Sequence, residues 1–151
     1  MPKIEILDGG DNTPFIDLAK ILAAIQPFAQ GLDWHFVDLE PVRLVAPKTE
    51  DGDPPSWVSN LFQEIRENPN GVKLEWQKLE AFARHIYQTV DAILIGVRPG
   101  THPPIAPVDL SAPEYDVVIQ AIDGDVWVIT SRNKDLIERV QRNFTSTKII
   151  E

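Results

Sequence analysis

The chain reads as an α+β protein: a mixed or mainly antiparallel sheet with about four helices packed largely on one side. Three observations predict this. Apolar residues recur at helical spacing in four separate stretches. Ile122-Asp123-Gly124-Asp125 separates two β-rich runs, and Asp-Gly favours the positive φ angles of a type I′ hairpin turn. The order of strands and helices lacks the regular β-α-β alternation that a parallel, doubly wound sheet requires. At 151 residues the length suits one domain spanning residues 1–151, large enough to bury roughly 68 to 70% of its unfolded surface without staples.

Lys3 to Leu7 alternates charge with Ile4 and Ile6, the period of a short strand, and Asp8-Gly9-Gly10-Asp11-Asn12 breaks it. A helix is predicted next. Asn12 or Thr13 offers a cap, Pro14 stands where its missing N–H costs nothing, and Phe15, Leu18, Leu22 and Ile25 share a face. Pro27 should kink or end this helix, with Gly31 closing it. Trp34 to Ala46 is rich in β-branched and aromatic residues with Pro41 inside, which predicts one bent edge strand or two short ones. After the polar loop Pro47 to Pro55, a helix from Pro54 to about Asn68 would turn Trp57, Val58, Leu61, Phe62 and Ile65 to the core.

Asn68-Pro69-Asn70-Gly71 is a turn. Leu79, Phe82, Ala83, Ile86, Tyr87 and Val90 then predict a third helix beginning near Leu74, followed by a buried strand, Ala92 to Val97. Arg98 to Pro113 holds five prolines and reads as a long loop. Tyr115 to Ala121 and Val126 to Thr130 form the predicted hairpin. Ser131 is a candidate cap for a last helix carrying Leu136, Ile137, Val140 and Phe144, and Lys148 to Ile150 returns as a strand.

Composition narrows the function classes. No cysteine is present, so disulfides, thiol catalysis and thiolate metal sites are excluded, and a reducing, cytoplasmic setting is expected. The first residues lack the apolar core of a secretory signal, and apolar runs such as Ala92 to Ile95 are far short of the ~20 residues that span a bilayer. Net charge is −9; Met1 to Asp125 carries −11 and Val126 to Glu151 carries +2. A surface of that sign repels phosphates, so a nucleic-acid partner is not expected, and a basic protein is the partner class it suits.

No complete catalytic constellation is visible, and no cofactor or metal is expected. His35, His85 and His102 lie outside helical reach of one another. His35 reads as a face residue of a strand, and His85 as a hydrogen-bonded or partly exposed helical residue. Asp8, Asp11 and Asn12 resemble a cation loop in composition but lack its alternating ligands, so a turn with a helix cap explains them. Gly-x-Ser-x-Gly, the phosphate-loop pattern and Gly-x-Gly-x-x-Gly are absent. Two candidate sites remain. Asp33, Asp38, Glu40, Glu50, Asp51 and Asp53 gather around one strand and its loop, offset only by Arg43 and Lys48, and form a candidate partner-binding face. Arg98, Thr101 and His102 follow the Ile93 to Val97 strand, where ligand-binding groups often collect, and form an alternative ligand or enzyme site.

From Tyr115 to Phe144, the strand, the Asp-bearing turn, Asp-Val-Trp-Val-Ile-Thr-Ser and the helix ending in Asn-Phe resemble the C-terminal part of small bacterial toxin-immunity proteins. The likeness involves Asp123, Trp127, Ser131 and Phe144. It implies a non-enzymatic inhibitor that binds a toxin domain, and it carries over no inhibitory residue. The reading favoured by the sequence is therefore a protein-binding module, of immunity or inhibitor type, that meets a basic partner through an acidic face.

Overall fold

Side chains alternate along each strand, and in this chain the two sides of the sheet receive different covers. A computed structural model describes residues 1–7, 16–46 and 52–150. The elements run β1 (Lys3–Ile6), α1 (Leu18–Ala29), β2 (Asp33–Leu44), α2 (Ser56–Glu67), β3 (Val72–Leu74), α3 (Trp76–Ala83), β4 (Ile86–Val97), β5 (Val117–Ile122), β6 (Val126–Ser131), α4 (Lys134–Asn143) and β7 (Thr147–Ile150). The seven strands among the described residues join one sheet in the order β3-β2-β4-β5-β6-β1-β7, and each of their pairings is antiparallel. The fold is α+β, as the sequence predicts.

One face carries Ile4 and Ile6 of β1, Trp34 and Phe36 of β2, Leu94 of β4, Ile119 of β5 and Trp127 and Ile129 of β6. The buried sides of all four helices pack against it as one core. Helix α1 crosses this face between two indole anchors. Trp127 Nε1 donates to the carbonyl of Ile16, just before the helix, at 3.1 Å, and Trp34 Nε1 donates to that of Ala29, its last residue, at 2.9 Å. Both rings are buried, so each bond also satisfies a donor that burial would otherwise penalise. Arg139 of α4 adds a third tie, from Nε to the Ala24 carbonyl at 2.8 Å.

The opposite face is covered by a loop. Ile93, Ile95 and Val97 of β4 and Val118 of β5 point away from the helices, and Val108, Leu110, Ala112 and Tyr115 fold over them. Asn70 accepts a hydrogen bond from the Ala106 amide at 2.7 Å, which ties the loop to the turn before β3. The proline-rich stretch predicted as a loop thus builds a small second core. Burial within it pushes the Tyr115 phenol above its ordinary pKa, with the nearby charges of Glu114 and Asp109 adding to the effect.

Several boundaries differ from the sequence prediction. The predicted third helix stops at Ala83, and Ile86, Tyr87 and Val90 belong to β4, which is twice the expected length. Their i, i+1, i+4 spacing is helical, and pairing with the long β2 overrides it. The short strand β3 is not predicted, since it falls between the turn ending at Gly71 and the helix expected from near Leu74; its outward position makes β2 an inner strand over Trp34–Phe36. Pro27 lies inside the last turn of α1, which ends two residues later. Asn12, Thr13 and Pro14, the expected start of that helix, lie outside the described residues. Asn133, rather than Ser131, caps α4 by accepting from the amides of Asp135 and Leu136, while the Ser131 hydroxyl accepts from the Asn133 amide. The hairpin turn is as predicted, with φ of 53° at Asp123 and 76° at Gly124.

Gly96 sits opposite Trp34, and a Cβ there would stand 3.0 Å from two atoms of the fully buried indole. Gly96→Ala is expected to lower stability by about 1 to 3 kcal/mol in urea unfolding, because neither strand nor ring can retreat. Trp127→Phe, which keeps the aromatic body and removes the indole donor to Ile16, is expected to cost about 1 to 3 kcal/mol in the same measurement.

Candidate functional site

Strand β2 determines where the acidic residues point. Trp34 and Phe36 enter the helix-side core, so Asp33, His35 and Val37 take the other face. A register shift between Phe36 and Asp38 then turns Val37 and Asp38 to the same side, and Leu39 returns inward. As a result Asp33, Asp38 and Glu40 all project from the helix-free face. Asp33 is held at one end by Lys73 of β3, with 3.5 Å between Nζ and Oδ2. Asp38 stands opposite Ile93, and Glu40 stands opposite Asp91.

The Glu40–Asp91 pairing sets two carboxylate-bearing residues directly across an antiparallel ladder, an arrangement that like charge disfavours. One oxygen of Asp91 accepts from the Asp123 amide at 3.1 Å, which fixes that side chain beside the hairpin turn. Asp91 was missed in the sequence because it fell between the helix marked up to Val90 and the strand predicted from Ala92; the alternation Asp91, Ile93, Ile95 was the signal that could have found it. Among the described residues no group of three or more His, Cys, Asp or Glu side chains could hold a metal ion.

The acidic face is therefore narrower than the sequence suggested. Asp38 and Glu40 come together with Asp91, while Asp33 is at the far end of β2 in its own ion pair. Asp53 is exposed in the segment entering α2, which packs on the helical side of the sheet. Glu50 and Asp51 lie outside the described residues, as do Asp8, Asp11 and Asn12.

Beside Asp38 and Glu40 runs a recess of about 540 Å³, walled by β2 from Asp38 to Leu44 and by Phe62 and Arg66 of α2. The cations at its margin face aromatic rings: the Arg66 guanidinium lies 5.6 Å from the Phe62 ring centre and that of Arg43 4.7 Å from the Tyr87 ring centre. Trp57 of α2, expected in the core, is 38% exposed and packs edge-on against His85 at 5.5 Å. It sits at the helix margin, where one side of the ring reaches solvent.

The alternative site converges in part, without His102. Arg98 Nε lies 3.5 Å from Asp116 Oδ2, an ion pair whose carboxylate oxygen makes no hydrogen bond. Arg98 and Thr101 line a recess of about 190 Å³ together with Glu114, Asp116 and Arg132. His102 is exposed and is not part of that lining. Two guanidinium groups and two carboxylates balance one another there.

The two other histidines are structural. His85 is buried, with Nδ1 2.8 Å from the Val45 carbonyl, and its backbone carbonyl accepts from the Val45 amide. His35 is buried on the helix-free face opposite Ile95 and Lys73. Desolvation lowers its pKa from the usual 6.5; nearby Asp33 opposes the effect and Lys73 reinforces it. Because the folded state disfavours the imidazolium, the stability due to neutral His35 is fully present above pH 6.5 and is lost as pH falls below it toward the folded-state pKa. His35→Gln is accordingly expected to show a shallower loss of urea stability than the parent as pH drops from about 7 to about 5; an unchanged slope would show that His35 contributes nothing to acid sensitivity.

No helix among the described residues is long and apolar enough to cross a membrane. No protein-family model, no curated protein and no solved structure matches the chain.

Proposed function

We propose that this chain is a non-enzymatic protein-binding module, of immunity or inhibitor type, that receives a basic protein on the helix-free side of β2 and β4. The observation that carries the reading is the placement of Glu40 directly opposite Asp91 with Asp38 alongside. Neither Asp38 nor Glu40 has an ion-pair partner among the described residues. Like charges held on paired strands repel, and a cationic partner converts that repulsion into attraction. The wider charge points the same way: at −9 the molecule steers cations toward it over a Debye length of about 8 Å at physiological salt.

The resemblance of Tyr115–Phe144 to bacterial toxin-immunity proteins supplies the finer part of the proposal, a toxin-like partner. The lack of cysteine supports a reducing, cytoplasmic setting. Hairpin β5–β6 lies beside β4 and fixes Asp91 through the Asp123 amide, so the segment that bears the resemblance supports the acidic surface without forming it.

The partner recovered from host cells should associate with Asp38→Asn/Glu40→Gln/Asp91→Asn about tenfold more slowly at low salt, the difference closing as ionic strength rises. Thermal stability of the triple variant should equal or exceed that of the parent, since like-charge repulsion is removed and the amide of residue 91 retains its acceptor oxygen. Association rates indifferent to the three substitutions at every salt concentration would remove the acidic surface from the binding reaction.

A further inference from the structure

Strand β3 pairs with β2 only over Trp34–Phe36. From Val37 to Leu44 the outer edge of β2 has no strand beside it among the described residues, although its inner edge pairs with β4 to the end. Helix α2 packs against β2, and between the helix and this edge runs the recess of about 540 Å³ with Phe62 in its wall. An open edge offers unpaired backbone N–H and C=O groups, and an edge flanked by a helix is the setting in which an extended peptide can add as a further strand.

Charge selects the occupant. Asp38 and Glu40 line the recess without ion-pair partners among the described residues, whereas Arg43 and Arg66 lie against the rings of Tyr87 and Phe62. A segment bearing Lys or Arg at alternate positions would place its cations by Asp38 and Glu40. A second copy of this chain, itself carrying −9, would be repelled. The edge also has the devices that blunt unwanted pairing: charge, register shifts at Phe36/Asp38 and Glu40/Pro41, and a proline without an N–H. They confine pairing to short runs on either side of Glu40 and so disfavour indiscriminate sheet extension.

We propose that the basic partner contributes an extended, Lys- or Arg-bearing segment that pairs by its main chain with the outer edge of β2 between Val37 and Leu44 and sets an apolar side chain against Phe62. This rests on the acidic docking reading above and adds the mode of recognition to it.

The test uses the full, ¹⁵N-labelled chain and synthetic nine-residue peptides alternating Lys with Val, a Glu-for-Lys control, and two forms of the Lys peptide N-methylated at alternate residues in opposite phases. Amide shifts should be confined to Val37–Leu44 and the Phe62 region of α2, and the Glu peptide should not bind. Methylation in one phase should weaken binding about tenfold while the other phase leaves it intact, because only alternate N–H groups face β2. Glu40→Lys should weaken the Lys peptide about tenfold as well. If both methylated peptides bind like the parent peptide, charge alone docks it; strand addition is overturned and the docking reading stands. Shifts centred elsewhere, concentration-dependent broadening of β2 without peptide, or no shift with the Lys peptide would each overturn strand addition, and the triple neutralisation above then decides the docking reading independently.

Discussion

The two indole hydrogen bonds that fasten α1 across the sheet are the constraint on which the helical layer depends. Trp34 on β2 holds the end of the helix and Trp127 on β6 holds its approach. Strands β2 and β6 are three positions apart in the sheet, a distance of roughly 14 Å, and a 12-residue helix is roughly 18 Å long. Helix α1 is therefore long enough to bridge them at a tilt. With it fixed, α3 and α4 pack on α1, and α2 is left to cover β2. Each bond is more than packing, because a buried indole N–H without an acceptor would oppose the placement of its own ring.

This arrangement leaves the two faces of the sheet unequal. The helices pack on one face, and among the described residues the opposite face is covered where Val108, Leu110, Ala112 and Tyr115 reach Ile93, Ile95, Val97 and Val118. Beyond that cover, the helix-free face presents Asp38, Glu40 and Asp91 from two paired strands with extensive backbone hydrogen bonding. Backbone on such strands keeps its position better than that on loops, so the spacing at which the three carboxylates leave the sheet is set by the ladder. The protein-binding proposal draws on that fixed spacing as much as on the sign of the charge.

Much of this was legible residue by residue. Asp123-Gly124 specified its turn because two successive positive φ angles select those residue types locally. The apolar spacing of α2 and α4 gave their core faces, since Val58, Leu61 and Ile65 or Leu136, Ile137 and Val140 need only one side of a helix. The acidic strand was found, yet its division was not. Asp33, Asp38 and Glu40 share a face only because a register shift intervenes, and without it Asp33 would lie on the side opposite Asp38 and Glu40. Asp91 was hidden because it falls between the helical spacing of Ile86, Tyr87 and Val90 and the strand predicted from Ala92.

The sequence by itself determined the α+β class, the antiparallel hairpin, the core faces of the amphipathic helices and the excess of negative charge, because each follows from local conformational preference or from composition. Tertiary structure alone decided the strand order, the extension of β4 at the expense of α3, the outer position of β3 and the meeting of Glu40 with Asp91. These depend on which distant strand supplies the missing backbone hydrogen bonds, and main-chain donors and acceptors are the same for nearly every residue type. Partner choice is therefore settled by the fit of whole faces, a property that no local stretch of the chain contains.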